Sequence, residues 1–168
     1  MAERTLGAPA AFGRGFELAL EVNGQRHLLR ADPSETLADV LRDRVGLTGT
    51  KVGCDSQVCG SCTVLLDRAL VSACTVLAYE AGGRSLLTIE GCEVEGRLDP
   101  VQEAFISAGA FQCGFCTPGI VLATKALLAE RPEADAEEVR SYLRGNLCRC
   151  TGYKSILDAV ELARRGRA

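Results

Sequence analysis

Residues 53–64 read GCDSQVCGSCTV. Cys54, Cys59 and Cys62 stand at C-x4-C-x2-C spacing, and Cys74 follows after eleven intervening residues. The triplet has the plant-type ferredoxin spacing for a 2Fe–2S cluster. Such a cluster is a flat rhomb with two thiolates on each iron, so its ligands must arrive from both sides. Gly and Ser between the cysteines let the backbone wrap closely, with N–H groups free to point at sulfur. Four soft thiolates also suit zinc. Structural zinc usually takes two knuckles of similar shape, and a four-residue gap running into a two-residue gap departs from that pattern. Rieske ligation needs two histidines, and His27 is the only one.

A second set lies downstream. Residues 111–119 read FQCGFCTPG and residues 146–153 read NLCRCTGY. Cys113, Cys116, Cys148 and Cys150 are spaced C-x2-C-x31-C-x-C. Each pair runs into a threonine, so Thr117 and Thr151 are expected as helix N-caps, with Pro118 at the first helical position. The 31-residue gap fits one helix out and one back, which brings two helix starts to a common point. Helix N-termini favour negative charge, and a thiolate-bound cluster is anionic.

The remaining composition narrows the class. The chain has 168 residues, enough for one ordinary domain or two small ones, and 47% of them are hydrophobic, enough for a core. A net charge of −3 gives no electrostatic reason to expect nucleic acid. No run of 18 apolar residues occurs, so no transmembrane segment is expected. Residues 1–14 read as a flexible leader, without the apolar core of a signal peptide. Nine cysteines without such a signal point to metal and to a reducing, cytoplasmic compartment.

Hydrophobic periodicity divides the chain. FELALEV (16–22) alternates as a half-buried strand, Asn23-Gly24 is a hairpin turn, and QRHLLRA returns. TLADVLRDRVG (36–46) reads as a helix with a Thr36–Asp39 capping box and Leu37, Val40 and Leu41 on one face. TVLL and ALVSA flank Asp67-Arg68 as a second hairpin, and SLLTIEG (85–91) reads as a last strand. The second half reads as four helices: 99–109 capped by Asp99 and Gln102, 117–130, 135–146 opened by Asp135 and Glu138, and 151–163. The fold class is therefore α+β: a β-rich domain over 15–91, then an all-α four-helix domain over 92–168, with a joint at 91–99. The loop that carries the first thiol set belongs near a surface, so the second set, held at helix starts, is expected to lie deeper. Cys92 belongs to neither set and reads as a bystander. His27 reads as an exposed strand residue. Lys51 and Arg149 lie beside the sets, as solvated charges or as tuning groups.

The motifs GCDSQVCGSCTV, QCGFCTPG and GNLCRCTGY together resemble the small iron–sulfur subunit of the xanthine oxidase family of molybdenum hydroxylases. That family includes the small subunits of carbon monoxide dehydrogenase, quinoline oxidoreductase and 4-hydroxybenzoyl-CoA reductase. The resemblance spans residues 16–163 and matches all eight cysteines in order. It implies a ferredoxin-like β-grasp domain followed by the helical domain, each with one 2Fe–2S cluster. It implies two partners, a large subunit holding molybdopterin in its cytosine dinucleotide form and a medium subunit holding FAD, as a dimer of heterotrimers. It implies that Gln112 hydrogen-bonds the pterin and that Cys150 lies on the pterin-facing side. The function expected is electron transfer from molybdopterin to FAD, with no catalytic residue on this chain. The alternatives are a free-standing ferredoxin-like carrier and a zinc-binding interaction module.

Overall fold

The computed structural model describes residues 15–166, and the expected leader, 1–14, lies outside them. Strand β1 (Phe16–Val22) pairs antiparallel with β2 (Gln25–Ala31) through the Asn23-Gly24 turn. Both turn residues have positive φ, 52° and 76°, as a tight hairpin requires. Leu18, Leu20 and Val22 point inward and the residues between them do not. Strands β3 (Thr63–Leu66) and β4 (Ala69–Ser72) form the second hairpin, around Asp67-Arg68. Strand β5 (Ser85–Leu87) lies parallel to β1 and antiparallel to β3, giving the order β2-β1-β5-β3-β4. The expected strand over 85–91 is shorter than its pattern. Thr88 N–H donates to the Asn23 side chain at 2.9 Å, and the Asn23 amide donates back to the Thr88 hydroxyl at 3.0 Å. Those bonds take the chain out of the ladder, and Ile89–Cys92 turns as a 3-10 helix.

Helix α1 (Leu37–Asp39) opens with the expected Thr36–Asp39 capping box and widens into a π-helical stretch, Val40–Arg44. Leu37, Val40 and Leu41 are fully buried against the sheet. Each large apolar side chain so buried contributes about 1.5–3 kcal/mol.

The second half contains α2 (Pro100–Ser107), α3 (Thr117–Glu130), α4 (Ala136–Tyr142) and α5 (Lys154–Arg165). The boxes Asp99–Gln102 and Asp135–Glu138 cap α2 and α4 as their spacing predicts. Helix α3 is buried nearly all round because it has two neighbours. One side joins Phe105, Leu143 and Ile156 in the helical core. The other places Leu122 and Ala126 against Leu65 of β3 and the buried thiol of Cys92. Cys92 is thus a packing residue between the halves, pushed up to about 11 by burial. His27 is half-buried rather than exposed, on the edge strand β2.

Helix α5 starts three residues later than its pattern suggests. Gly152 and Tyr153 both take positive φ, 61° and 67°, and a left-handed pair cannot continue a right-handed turn. No helix of the described residues is long and apolar enough to cross a membrane.

Candidate metal centre

The eight cysteines of the two sets come together as pairs. In the loop set, Cys54 Sγ accepts from the Cys59 N–H at 3.3 Å, and Cys74 lies near enough to Cys62 to raise its thiol. In the helical set, Cys150 lies with its sulfur 3.6 Å from that of Cys113, and Cys148 lies near enough to Cys116 to raise its thiol. The sets are built in different ways. Cys62 closes the loop just before β3 and Cys74 follows β4, so one hairpin carries both members of a pair. Cys113 and Cys116 sit in the turn before α3, whereas Cys148 and Cys150 sit before α5.

N–H and O–H donors converge on the sulfurs. Cys54 accepts from the backbone N–H of Val58 and of Cys59, both at 3.3 Å. The Cys59 N–H first, and Ser56 after it, pull the Cys54 thiol down to about 6. The Phe115 N–H holds Cys113 below the usual thiol value. Burial pushes Cys148 up, but the Thr151 hydroxyl and the N–H groups of Thr151 and Cys150 outweigh it, and the net direction is down. Three other thiols move the opposite way. Burial drives Cys62 to about 12 and Cys116 to about 12, and the bond to Cys113 raises Cys150. Both pairs of the helical set thus contain one thiol prepared for the thiolate form, beside a neighbour that resists a second free charge. A metal removes that conflict, because its positive charge offsets both thiolates. Two thiolates for each metal, with sulfur-directed N–H groups around them, is the donor set of a 2Fe–2S cluster.

The threonines after each pair act differently from helix caps. Thr151 donates its hydroxyl to Cys148 Sγ at 3.1 Å and accepts from the Tyr153 N–H at 3.2 Å. It is a sulfur donor, and Tyr153 stands at the N-cap of α5. Cys116 stands at the N-cap of α3 and Thr117 is the first helical residue, with its hydroxyl buried and unpartnered among the described residues. Tyr153 adds a feature that the sequence hid. Its hydroxyl accepts from the Cys148 N–H at 2.9 Å and donates to the Asn146 carbonyl at 3.1 Å, bracing the bend that carries Cys148 and Cys150.

The relative depth of the two sets is the reverse of the expectation. Cys62 and Cys74 are buried, whereas Cys113 and Cys150 are exposed. Gly, Ser and Asp describe the exposed backbone of residues 53–62, but the later thiols of that set tuck under the β3–β4 hairpin. The helical thiols lie at helix ends, on the surface of this chain. Gln112, next to Cys113, is also exposed, and so is Arg149. Lys51 is half-buried and donates to the Thr48 carbonyl.

The sets are close neighbours. The Leu147 N–H donates to the Cys59 carbonyl at 2.8 Å, so a cysteine of the loop set and the residue before Cys148 share a hydrogen bond. The Asn146 amide donates to the Gly60 carbonyl at 2.9 Å and to Thr63 Oγ1 at 3.1 Å.

Two family models divide the chain. A 2Fe–2S iron–sulfur cluster binding domain matches residues 20–88, and a second 2Fe–2S binding domain matches residues 88–161. The chain is 49% identical over 144 residues to the nicotine 6-hydroxylase small subunit of Paenarthrobacter nicotinovorans, covering 86% of this chain and 87% of the relative. It is 45% identical over 141 residues to the xanthine dehydrogenase iron-sulfur-binding subunit of Escherichia coli O157:H7, covering 83% and 88%. A chain of quinoline 2-oxidoreductase from Pseudomonas putida 86 superposes with a TM-score of 0.86 at 43% identity, covering 93% of this chain and all of that one. The paired thiols and these relatives lead to one conclusion: the chain belongs to the family of small iron–sulfur subunits of xanthine oxidase-type molybdenum hydroxylases, and it is a non-catalytic electron-transfer subunit of an oxidoreductase complex.

Proposed function

We propose that Cys54, Cys59, Cys62 and Cys74 hold one 2Fe–2S cluster and that Cys113, Cys116, Cys148 and Cys150 hold the other. The observation that carries this is the approach of the thiols in twos, with Cys150 Sγ 3.6 Å from Cys113 Sγ, since each iron of such a cluster takes two thiolates. Each cluster, when bound, accepts and releases one electron. The chain supplies the thiolates, the N–H and O–H donors that favour added negative charge, and the packing that limits water. We further propose two separately organised units, 15–91 with a β-grasp sheet and 92–168 with four helices, joined across the interface of α3 with β3.

The complex proposed is that of the family: a large subunit with molybdopterin, as its cytosine dinucleotide, and a medium subunit with FAD, assembled as a dimer of heterotrimers in the cytoplasm. Gln112 and Cys150 face the pterin. Their exposure supports this, since an exposed amide with two donors and an acceptor can meet a pterin edge. The helical set then lies on the molybdenum side and the loop set on the FAD side. The Leu147–Cys59 hydrogen bond gives a short connection between them.

Cys74→Ser in the assembled complex tests the order. Substrate should still produce the reduced signal of the helical set under rapid-freeze EPR, while flavin reduction stalls. Flavin reduction at the normal rate in that variant would show the order to be wrong. A chain that purifies from native extract without partners would favour the free-standing carrier instead.

A further inference from the structure

We propose that Phe115 is the lid of the loop thiol set, although the sequence places it inside the helical one. This rests on the reading that Cys54, Cys59, Cys62 and Cys74 hold a cluster.

Phe115 stands between Cys113 and Cys116, and nothing in that position ties it to residues 53–62. Its ring nevertheless reaches across to Gly53, the neighbour of Cys54. A methyl group built on Gly53 would lie 3.2 Å from Phe115 Cε1 and 3.3 Å from Cys59 Sγ. The ring edge, the Gly53 backbone and the Cys59 thiol therefore meet at one point. Gly53 is not in the left-handed region, so no turn demands a glycine there. What the missing side chain provides is room for the ring.

The loop set needs cover that its own loop cannot give. Cys62 and Cys74 are shielded by the hairpin, but Cys54 and Cys59 are only half-buried. Asp55, Ser56 and Gln57, between them, are polar and exposed. Phe115 supplies an apolar wall from the other half of the molecule. One side of its ring faces inward and the residue stays 44% exposed on the other, as a lid does. Excluding water lowers the local dielectric, which disfavours the extra negative charge of the reduced form and so lowers the reduction potential. The same exclusion slows displacement of thiolate by water or chelator. Phe115 acts through the Cys54–Cys59 surroundings and is a positioning residue, with no contact to substrate.

The test uses the assembled complex carrying Phe115→Ala, Phe115→Leu or Gly53→Ala. The loop-set EPR signal is identified by its loss in Cys74→Ser. With Phe115→Ala, the loop-set reduction equilibrium should shift about tenfold toward the reduced form, or about 59 mV for one electron. Loss of iron from that set to a ferrous chelator under dithionite should speed up by a similar factor, and the helical-set signal should stay near its wild-type potential. Gly53→Ala, which displaces the ring, should shift the loop set in the same direction. If Phe115→Ala does not assemble, Phe115→Leu, which keeps part of the cover, should give a smaller shift of the same sign. Unchanged loop-set potential and iron loss in these variants, or changes confined to the helical set, would overturn the lid while leaving both clusters in place. Zinc in place of iron in the wild-type protein would instead overturn the cluster assignment beneath it.

Discussion

The side-chain amide of Asn146 donates to the carbonyl of Gly60, 86 positions earlier, at 2.9 Å. Asn146 is buried and sits two residues before Cys148, while Gly60 follows Cys59 directly. One hydrogen bond therefore holds together the backbones that carry a thiol from each set. A second glycine makes the approach possible: a methyl group on Gly119 of α3 would lie 2.3 Å from the same Gly60 oxygen.

Asn146→Ala removes two buried hydrogen bonds, to Gly60 and to Thr63 Oγ1, at a cost of about 1–3 kcal/mol in all. Gly119→Ala forces a methyl group against the Gly60 carbonyl, and such overpacking typically costs about 1–3 kcal/mol. Both variants should bleach faster at elevated temperature, read as the half-life of the visible absorbance. Wild-type half-lives in both would show that the two halves do not depend on this contact.

Thr151→Val should lower the potential of the helical set. The Thr151 hydroxyl donates to Cys148 Sγ, and a donor to sulfur stabilises the added electron. One hydrogen bond is worth about 0.5–1.5 kcal/mol, which corresponds to roughly 20–60 mV for a one-electron couple. Thr151→Ser, which keeps the hydroxyl, should stay near wild type. An EPR-monitored titration that places valine and serine at the same potential would remove this role.

Much of this architecture is legible in the residues themselves. Asn23-Gly24 and the capping boxes at Thr36, Asp99 and Asp135 are local signals, and each appears where its pattern puts it. What is not legible depends on contacts between distant segments. Spacing alone does not say that Cys113 belongs with Cys150 and Cys116 with Cys148. The polar loop around Cys54 describes exposed backbone and conceals the burial of Cys62 and Cys74. Thr151 resembles a cap, but a non-glycine residue in the left-handed region, Tyr153, delays the helix and frees the hydroxyl for sulfur. The pairing of Phe115 with Gly53 and of Asn146 with Gly60 joins two motifs that are read separately along the chain.

Gln112→Leu keeps similar bulk and removes the amide. Gln112 is exposed in this chain, so the isolated subunit should melt as wild type does. In the complex, loss of the proposed pterin hydrogen bonds should cost about 1–3 kcal/mol, seen as weaker molybdopterin retention or slower first electron transfer, with both cluster signals intact. A complex with unchanged cofactor content and turnover would refute the contact.

The proposed ligand sets place one 2Fe–2S cluster in each matched domain. Iron and acid-labile sulfide analysis of anaerobically purified protein, with EPR after dithionite reduction, tests it most directly. Two irons and two sulfides are expected for each domain, with two distinguishable reduced signals, of which Cys74→Ser abolishes one and Cys148→Ser the other. Zinc with no iron, or a single signal lost equally in both variants, would contradict it.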